Sequence, residues 1–333
     1  MSDSKVDSFR LYKGTPRNQD DAPSDLPLFQ PNPRLTEAGL YIAPPGLRDA
    51  VNVALALGQP LIVTGEPGTG KTRLAHSIAA HFGLGEPLAF YTKTTSTADD
   101  LFYRYDALRH FHDIERAKQG DRTVDPTDVK QYLDFRALGL AILLAGDSEK
   151  CAQYLPPDRR IAKPARSVVL IDEIDKAPRD FPNDILNEIE NLRFTVTEIP
   201  ETFQAKPEYR PFVLLTSNSE RDLPDAFLRR CVFYYILPPK KGELIEIVQT
   251  RLKPGSAFSP QMIENAVDHF EAIRDLALKK KPATAELLAW VELLERMSVD
   301  VKNLRPGQAE ILEFSYSILA KNREDLAEIR KMK

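Results

Sequence analysis

The 333-residue sequence predicts an α/β fold in which a parallel five-stranded sheet is sandwiched between helices and is followed by a small all-helical domain. Two observations predict it. Five short apolar segments alternate with helical patterns up to Leu237, and after Pro238 and Pro239 only helical patterns remain. Short apolar strands that alternate with helices are typical of parallel sheets whose strands are buried on both faces.

The predicted strands are short, and each contains a run of apolar residues. The third, SVVLIDEID, has four consecutive apolar residues before its first carboxylate, as expected of a strand that is covered on both faces. The five predicted strands are residues 60–65, 88–95, 167–175, 211–218 and 231–237.

Helical patterns separate and follow these strands. Residues 47–58 place apolar residues at helical spacing and stop at Gly58, and residues 73–84 form a second helical run. The later stretch TAELLAWVELLERM is strongly amphipathic, which indicates a helix packed on a core. The predicted helices after the sheet are residues 243–252, 260–278, 283–297 and 307–330.

These patterns predict three parts of the chain. Residues 1–37 are rich in Asp, Pro, Asn and Arg with scattered aromatics, and we interpret them as an extended N-terminal arm. Residues 38–238 form the α/β core, and residues 239–333 form the helical domain. No run approaches 18 apolar residues, so the sequence predicts no membrane span, and its start lacks the apolar segment of a secretory signal.

Composition and charge argue against several classes of partner. The formal net charge of −4 gives no general electrostatic footprint for nucleic acid. From Lys240 to the end the chain carries 16 Lys/Arg and 15 Asp/Glu, a balance that argues against a DNA-binding tail. Cys151 and Cys231 are far apart and match no metal or redox spacing, so a reducing, cytoplasmic location is the plain expectation.

A glycine-rich segment between the first strand and the next helix has the composition of a phosphate-binding loop. GEPGTGKT fits the pattern GxxxxGK[ST] in the required strand–loop–helix context. The glycines let successive backbone N–H groups point at the β-phosphate, Lys71 can reach the β- and γ-phosphates, and the Thr72 hydroxyl can ligate Mg²⁺. The predicted nucleotide-binding residues are Gly65, Glu66, Pro67, Gly68, Thr69, Gly70, Lys71, Thr72 and Arg73.

Two carboxylates end the third strand. Asp172 follows four apolar residues and lies at the carboxyl end, where the phosphate loop is also expected. Asp172 can hold the Mg²⁺ water shell, and Glu173 can orient and deprotonate the attacking water. The alternative for DEID is a solvated acidic turn that caps the following helix.

Two further polar elements follow the fourth strand. Asn218 ends PFVLLTSN and would emerge between the γ-phosphate and the attacking water, although an asparagine in a turn is the plainer interpretation. Arg229 and Arg230 end a short helix before the last strand, where arginines are often simply solvated. We expect Arg230 to lie far from Lys71 in strand order, and therefore to act on a neighbouring subunit.

Together these features resemble the P-loop NTPases of the AAA+ class, and more closely the MoxR family. The resemblance runs from about Tyr41 to about Met297. Its most specific marks are GEPGTGKT, VVLIDEIDKAPRDFPNDILNEIE and LTSNSERDLPDAFLRR, with residues 193–211 in the place of the family's hairpin before the fourth strand.

The resemblance implies roles for several residues. Asn218 corresponds to sensor 1 and Arg230 to the arginine finger, with Arg229 as the alternative. The adenine pocket of the family lies near the segment that contains Tyr41 and Ile42. A MoxR-like protein is expected to hydrolyse ATP with Mg²⁺ in a hexameric ring, and to act as a chaperone on a client that carries a von Willebrand factor A domain.

Two segments depart from the family pattern or extend it. The family's lid helix normally begins with an arginine, sensor 2, whereas the matching place here falls near Ala285 or Glu286. One of the lysines at 279–281 could substitute, or these lysines form a solvated turn. Residues 104–166 form a long insertion in which His110 and His112 fit an ordinary surface pair better than a metal site, since no Cys cluster accompanies them.

Three classes of function share the phosphate loop: a remodelling ATPase, a nucleic-acid motor or loader, and a small-molecule kinase. A kinase would need an acceptor pocket and a mobile arginine-rich lid, whereas Glu173 and Asn218 indicate water as the acceptor. A DNA motor would favour an added basic domain, which the sequence lacks. The sequence therefore favours the remodelling ATPase, with the nucleic-acid motor as the alternative.

Overall fold

The computed structural model describes residues 32–218 and 223–332, which form two compact units. The first 31 residues of the predicted arm lie outside this range. One unit, which we call the sheet unit, consists of residues 43–66 and 71–237. The other, which we call the helical unit, takes in the described residues up to Ile42, the segment Pro67–Gly70 and the chain from Pro238 onward.

The sheet unit contains a five-stranded parallel sheet, as predicted. The strands of its described residues are β1 Leu61–Gly65, β2 Leu88–Tyr91, β3 Tyr103–Tyr105, β4 Leu133–Phe135, β5 Val168–Asp172, β6 Arg193–Val196, β7 Glu201–Gln204, β8 Phe212–Ser217 and β9 Val232–Ile236. The spatial order in the parallel sheet is β2-β5-β8-β1-β9, and each neighbouring pair is parallel. Two antiparallel pairs, β3-β4 and β6-β7, lie outside this sheet.

The three central strands are buried along their whole length, which explains their unbroken apolar sequence. Every residue of β1, β5 and β8 is buried. The edge strand β2 ends at Tyr91, shorter than the predicted strand, because Lys93 and the two residues after it are exposed and form a loop. Strand burial therefore follows the position of each strand in the sheet.

Helices cover this sheet and carry the insertion. The helices of the sheet unit are α1 Pro45–Leu57, α2 Lys71–Phe82, α3 Ala107–Lys118, α4 Ala137–Ala145, α5 Ser148–Cys151, α6 Phe181–Asp184, α7 Leu186–Asn191 and α8 Asp225–Leu228. α2 packs on β1, β5 and β8, whereas α1 packs on β1 and β9, and α4 packs on β2 and β5. α1 ends at Gly58, which takes the left-handed conformation that closes a helix.

The insertion at 104–166 has internal contacts and also packs on β2 and β5 through α4. His110 is half-buried, stacks on Tyr132 and contacts the carbonyl of Pro126 through Nε2 at 2.9 Å. Of the predicted surface pair, His112 alone is exposed. Within the described residues no group of three or more His, Cys, Asp or Glu side chains could hold a metal ion. His110 therefore has a packing role in the insertion.

The chain after Pro238 is helical, as predicted, but its last segment differs from the expected pattern. Residues 307–330 form two helices, because Asn322 accepts a hydrogen bond from the backbone N–H of Asp325 and starts a new helix. None of the described helices is both long enough and apolar enough to cross a membrane. These helices are α9 Lys241–Arg251, α10 Pro260–Asp275, α11 Thr284–Met297, α12 Gln308–Leu319 and α13 Arg323–Ile329.

The core of the helical unit is built around Trp290, which is the only tryptophan of the chain and is fully buried. Its indole N–H donates to the Ser315 hydroxyl at 2.7 Å. His269 stacks on Trp290 and on Tyr316, and its Nε2 lies 2.9 Å from the Tyr316 hydroxyl. Burial lowers the pKa of His269 from its ordinary value of 6.5.

This burial makes the stability of the helical unit pH-dependent. Because the folded-state pKa of His269 is lowered, its contribution to stability is present above about pH 6.5 and is lost as the pH falls through the folded-state pKa. We expect the urea midpoint, followed by Trp290 fluorescence, to fall between pH 7.5 and pH 5. His269→Gln should reduce this fall, whereas the same change at the exposed His81 should leave it intact. If the urea midpoint falls equally in the parent and in both variants, the pH dependence of stability comes from groups other than His269.

Candidate nucleotide site

Of the residues predicted for catalysis, all except Arg230 follow strands that end at the same edge of the sheet. β1, β5 and β8 are parallel neighbours and end at Gly65, Asp172 and Ser217. Their carboxyl ends therefore meet at the same edge, which is the usual place for ligand binding in open α/β sheets.

Glycine is required at two points of the loop that follows β1. A Cβ atom on Gly65 would lie 2.7 Å from the carbonyl oxygen of Ile236, a distance that backbone atoms do not tolerate. Gly70 has a φ of 88°, in the left-handed region that favours glycine. Between them, Pro67 and Gly68 are exposed. The loop thus has the glycines that its backbone path requires and an accessible tip.

Lys71 is the buried cation of the site. Its ammonium group donates to the carbonyl oxygens of Gly65 at 2.8 Å and Glu66 at 2.9 Å. Burial lowers the pKa of Lys71, and the nearby carboxylates of Asp175 and Asp172 act in the opposite direction. A buried ammonium group that is held by carbonyls at the mouth of a glycine-rich loop can exchange these contacts for phosphate oxygens.

Two oxygen ligands that suit Mg²⁺, the Thr72 hydroxyl and the Asp172 carboxylate, lie next to each other. The Thr72 hydroxyl donates to Asp172 Oδ1 at 3.0 Å, and the Thr216 hydroxyl donates to the same oxygen at 2.6 Å. Mg²⁺ in nucleotide sites typically binds one or two protein oxygens together with water and phosphate oxygens. The adjacent Thr72 hydroxyl and Asp172 carboxylate fit that requirement.

Glu173 is fixed through its backbone and its side chain. Its backbone is left-handed, with φ 56° and ψ 51°, and its N–H donates to the Thr216 hydroxyl at 2.9 Å. Its Oε1 accepts from Asn218 Nδ2 at 3.1 Å, and Lys176 Nζ lies 2.5 Å from its Oε2. The structure therefore brings Glu173 and Asn218 into direct contact.

Three residues of this network were not singled out from the sequence as site residues. Thr216 bridges the Asp172 carboxylate and the Glu173 backbone, and its position two residues before Asn218 is the only signal that could have indicated it. Asp175 accepts from the backbone N–H of Asn218 at 3.2 Å. Lys176 follows Glu173 by three residues, the separation at which side chains meet across one helical turn.

Tyr41 lies beside the loop in the helical unit. Its ring is 3.2 Å from the position that a Cβ atom on Gly70 would occupy, and Ile42 next to it is half-buried. This contact places the predicted adenine segment next to the phosphate loop. Thr69 and Arg73 are half-buried, and Arg73 lies on the first turn of α2.

The start of α11 also lies against the loop in the helical unit, and it carries no arginine. A Cβ atom on Gly68 would lie 2.9 Å from the Ala283 side chain and 3.5 Å from Glu286 Oε2. Glu286 Oε2 accepts from the Ala283 backbone N–H, and its other oxygen lies 3.5 Å from Lys321 Nζ. Among the lysines at 279–281, Lys279 pairs with Glu324 at 3.0 Å.

Arg230 lies at the amino end of the parallel strands, whereas Lys71 lies at their carboxyl end. The expectation that strand order separates them is wrong, because β9 pairs directly with β1. The separation runs along the strands instead: Arg230 precedes the amino end of β9, whereas Lys71 follows the carboxyl end of β1. A strand of five residues is about 15 Å long. Arg230 Nε lies 3.3 Å from Glu190, and Arg229 beside it is exposed.

The sequence of the sheet unit matches a known protein family. The family described as AAA domain (dynein-related subfamily) matches residues 60–231, which is more than half of the chain. A proline-to-glycine mutant of Thermotoga maritima RuvB is 14% identical, with a TM-score of 0.42. A threonine-to-valine mutant of the same protein is 15% identical, with a TM-score of 0.39. Both alignments cover 82% of this chain and 67% of the other.

No curated protein sequence matches the chain. The family match includes the first strand, the phosphate loop, Asp172, Glu173 and Asn218, and it ends just after Arg230. The match covers four of the five strands of the parallel sheet, all except β9, together with the residues gathered at its carboxyl edge. The protein therefore belongs to the AAA domain family, in its dynein-related subfamily.

Proposed function

We propose that the protein hydrolyses ATP in an oligomeric ring and uses the energy to remodel a partner protein. The observation that carries this proposal is the cluster at the carboxyl edge of the sheet. There a buried lysine, two oxygen ligands and a carboxylate held by an asparagine lie together. Ring formation is common in the family, and a site of this composition is suited to water as the acceptor of the phosphoryl group.

Each residue has a separate proposed task. Lys71 binds the β- and γ-phosphate oxygens, and Thr72 and Asp172 hold Mg²⁺. When bound, Mg²⁺ supplies neutralisation of phosphate charge. Glu173 accepts a proton from the attacking water, and Asn218 orients the Glu173 carboxylate. One oxygen of Glu173 accepts from Asn218 and the other contacts Lys176, and each oxygen keeps a second acceptor site through which it can reach a water.

The subunit number, the adenine contacts and the client are proposed from the resemblance to the MoxR family. We propose a homo-hexamer of subunits with a core at 38–238 and a helical domain at 239–333, and Tyr41 and Ile42 as adenine contacts. The break between the two compact units next to Pro238 supports this division. The proposed client is a protein with a von Willebrand factor A domain, and a nucleic-acid motor is the alternative.

The proposed base can be tested with Glu173→Gln, which keeps the shape but removes the proton acceptor. We expect ATP to bind with nearly unchanged affinity and turnover to fall by roughly 100-fold or more. Nucleotide titration and phosphate release measure the two quantities separately. Lys71→Ala should instead weaken binding, whereas Lys93→Ala, at an exposed lysine after β2, should change neither. A Glu173→Gln variant with the parental rate would show that Glu173 only starts the next turn.

Arg230 tests whether the active site is shared between subunits. We expect Arg230→Ala to bind ATP normally and to hydrolyse it poorly, because a guanidinium from the neighbour stabilises charge in the transition state. Mixing this variant with Glu173→Gln should restore part of the activity, since some boundaries then combine an intact Glu173 with an intact Arg230. Exchange is verified with tagged and untagged chains. Exchange without restored activity contradicts a shared site, and Arg229→Ala, measured in the same way, tests the alternative arginine finger.

The alternative as a nucleic-acid motor predicts a different response to DNA. Because few phosphates would be neutralised by a chain of balanced charge, we expect weak duplex binding that falls steeply with salt. Fluorescence anisotropy and turnover with and without duplex measure this. A dissociation constant below about 1 µM at about 0.15 M salt, or strong stimulation of turnover, would favour the motor.

A further inference from the structure

The edge strand β9 has one covered face and one open face. Tyr234 points to the covered face, where its hydroxyl lies 3.0 Å from the position of a Cβ atom on Gly46 in α1. Because side chains alternate along a strand, the residues directly before and after Tyr234 point to the other face. Phe233, Tyr235 and Leu237 are 55%, 44% and 71% exposed, and we call these three residues the β9 face.

The open face is unusual because the neighbouring strand is fully buried. Phe233 is the register partner of Ile62, and Tyr235 is the partner of Thr64. Ile62 is completely buried in the main core, and Thr64 is 6% exposed. The layer that covers this side of the sheet therefore ends between β1 and β9. Parallel sheets are normally covered on both sides, whereas no element among the described residues of the sheet unit covers the β9 face.

The residues before β9 connect this face to the proposed arginine finger. Phe227 of α8 is buried in the same core cluster as Ile62, and Leu228 and Cys231 pack against that cluster. The backbone N–H of Arg230 donates to the carbonyl of Phe227. Arg230 and the β9 face thus lie on consecutive parts of one chain segment, at the margin of one core.

We propose that the β9 face is covered by a second copy of this chain in the ring. The inference rests on the proposed function, because a boundary that brings Arg230 to a neighbour's phosphate also brings the neighbour to the strand that follows Arg230. The other exposed apolar side chains have no such link to a residue that is expected to act on another subunit.

The size of the face limits how much of the boundary it can form. Three large side chains that are about half exposed present on the order of 300 Å² of apolar surface, which is typical of functional patches. A stable interface buries about 800 Å² on each partner. The β9 face is therefore one part of the boundary, and losing it should weaken assembly in a concentration-dependent way.

The test uses the full chain with Glu173→Gln, ATP and Mg²⁺, followed by sedimentation velocity over a range of concentrations. Adding Phe233→Lys and Tyr235→Lys should raise the concentration for half-assembly by at least about tenfold, as expected when a buried apolar contact is replaced by charge. ATP affinity, measured on single chains, should stay within about twofold. The control is Tyr91→Lys with Phe82→Lys, at side chains that are 62% and 50% exposed elsewhere, and it should assemble like the parent.

A photo-crosslinking residue in place of Phe233 identifies what covers the face. A product of twice the chain mass supports the inference. A ring without this product, a product with a different protein, or normal assembly of the double variant overturns it, as does a parent that stays a single chain throughout. Rings that form through this face but hydrolyse no ATP would refute the proposed function and leave this inference intact.

Discussion

The parallel pairing of β5 with β8 is the constraint on which the site depends. This pairing places the end of one strand beside the end of the other, so that the Thr216 hydroxyl reaches both the Asp172 carboxylate and the Glu173 backbone. β1 pairs with β8 on the other side and brings the phosphate loop to the same edge. A slip of one residue between these strands would turn Thr216 to the opposite face, where its hydroxyl could reach neither the Asp172 carboxylate nor the Glu173 backbone.

At this edge, neighbouring groups offset the cost of burying the charge of Lys71. Lys71 is 7% exposed, and burial alone would favour its neutral form. Its two carbonyl acceptors and the carboxylates around it offset that cost. The same carboxylates would repel a nucleotide if the lysine were absent, so the cation and the acids form one electrostatic unit rather than independent contacts.

Local patterns in the sequence predicted the strands, the phosphate loop and the acidic strand end, because each depends on residues that are close in the chain. The strand order was not predictable in this way, since an apolar run does not specify its neighbour, and the place assigned to Arg230 in that order was consequently wrong. The contacts of Thr216 and Lys176 with Glu173 also escaped prediction, the first because it joins strands distant in sequence. The break after Leu319 depends on a single capping residue, Asn322.

Glu173 adopts a left-handed backbone that costs a non-glycine residue about 1 kcal/mol or more. Glycine would occupy this position without strain, yet it has no carboxylate to receive a proton. Selection for thermal stability alone would therefore push this position towards a residue that cannot perform the proposed chemistry. Libraries screened only for stability are biased against the proposed catalytic residue, and a more stable variant found in such a screen needs an activity assay before it is interpreted.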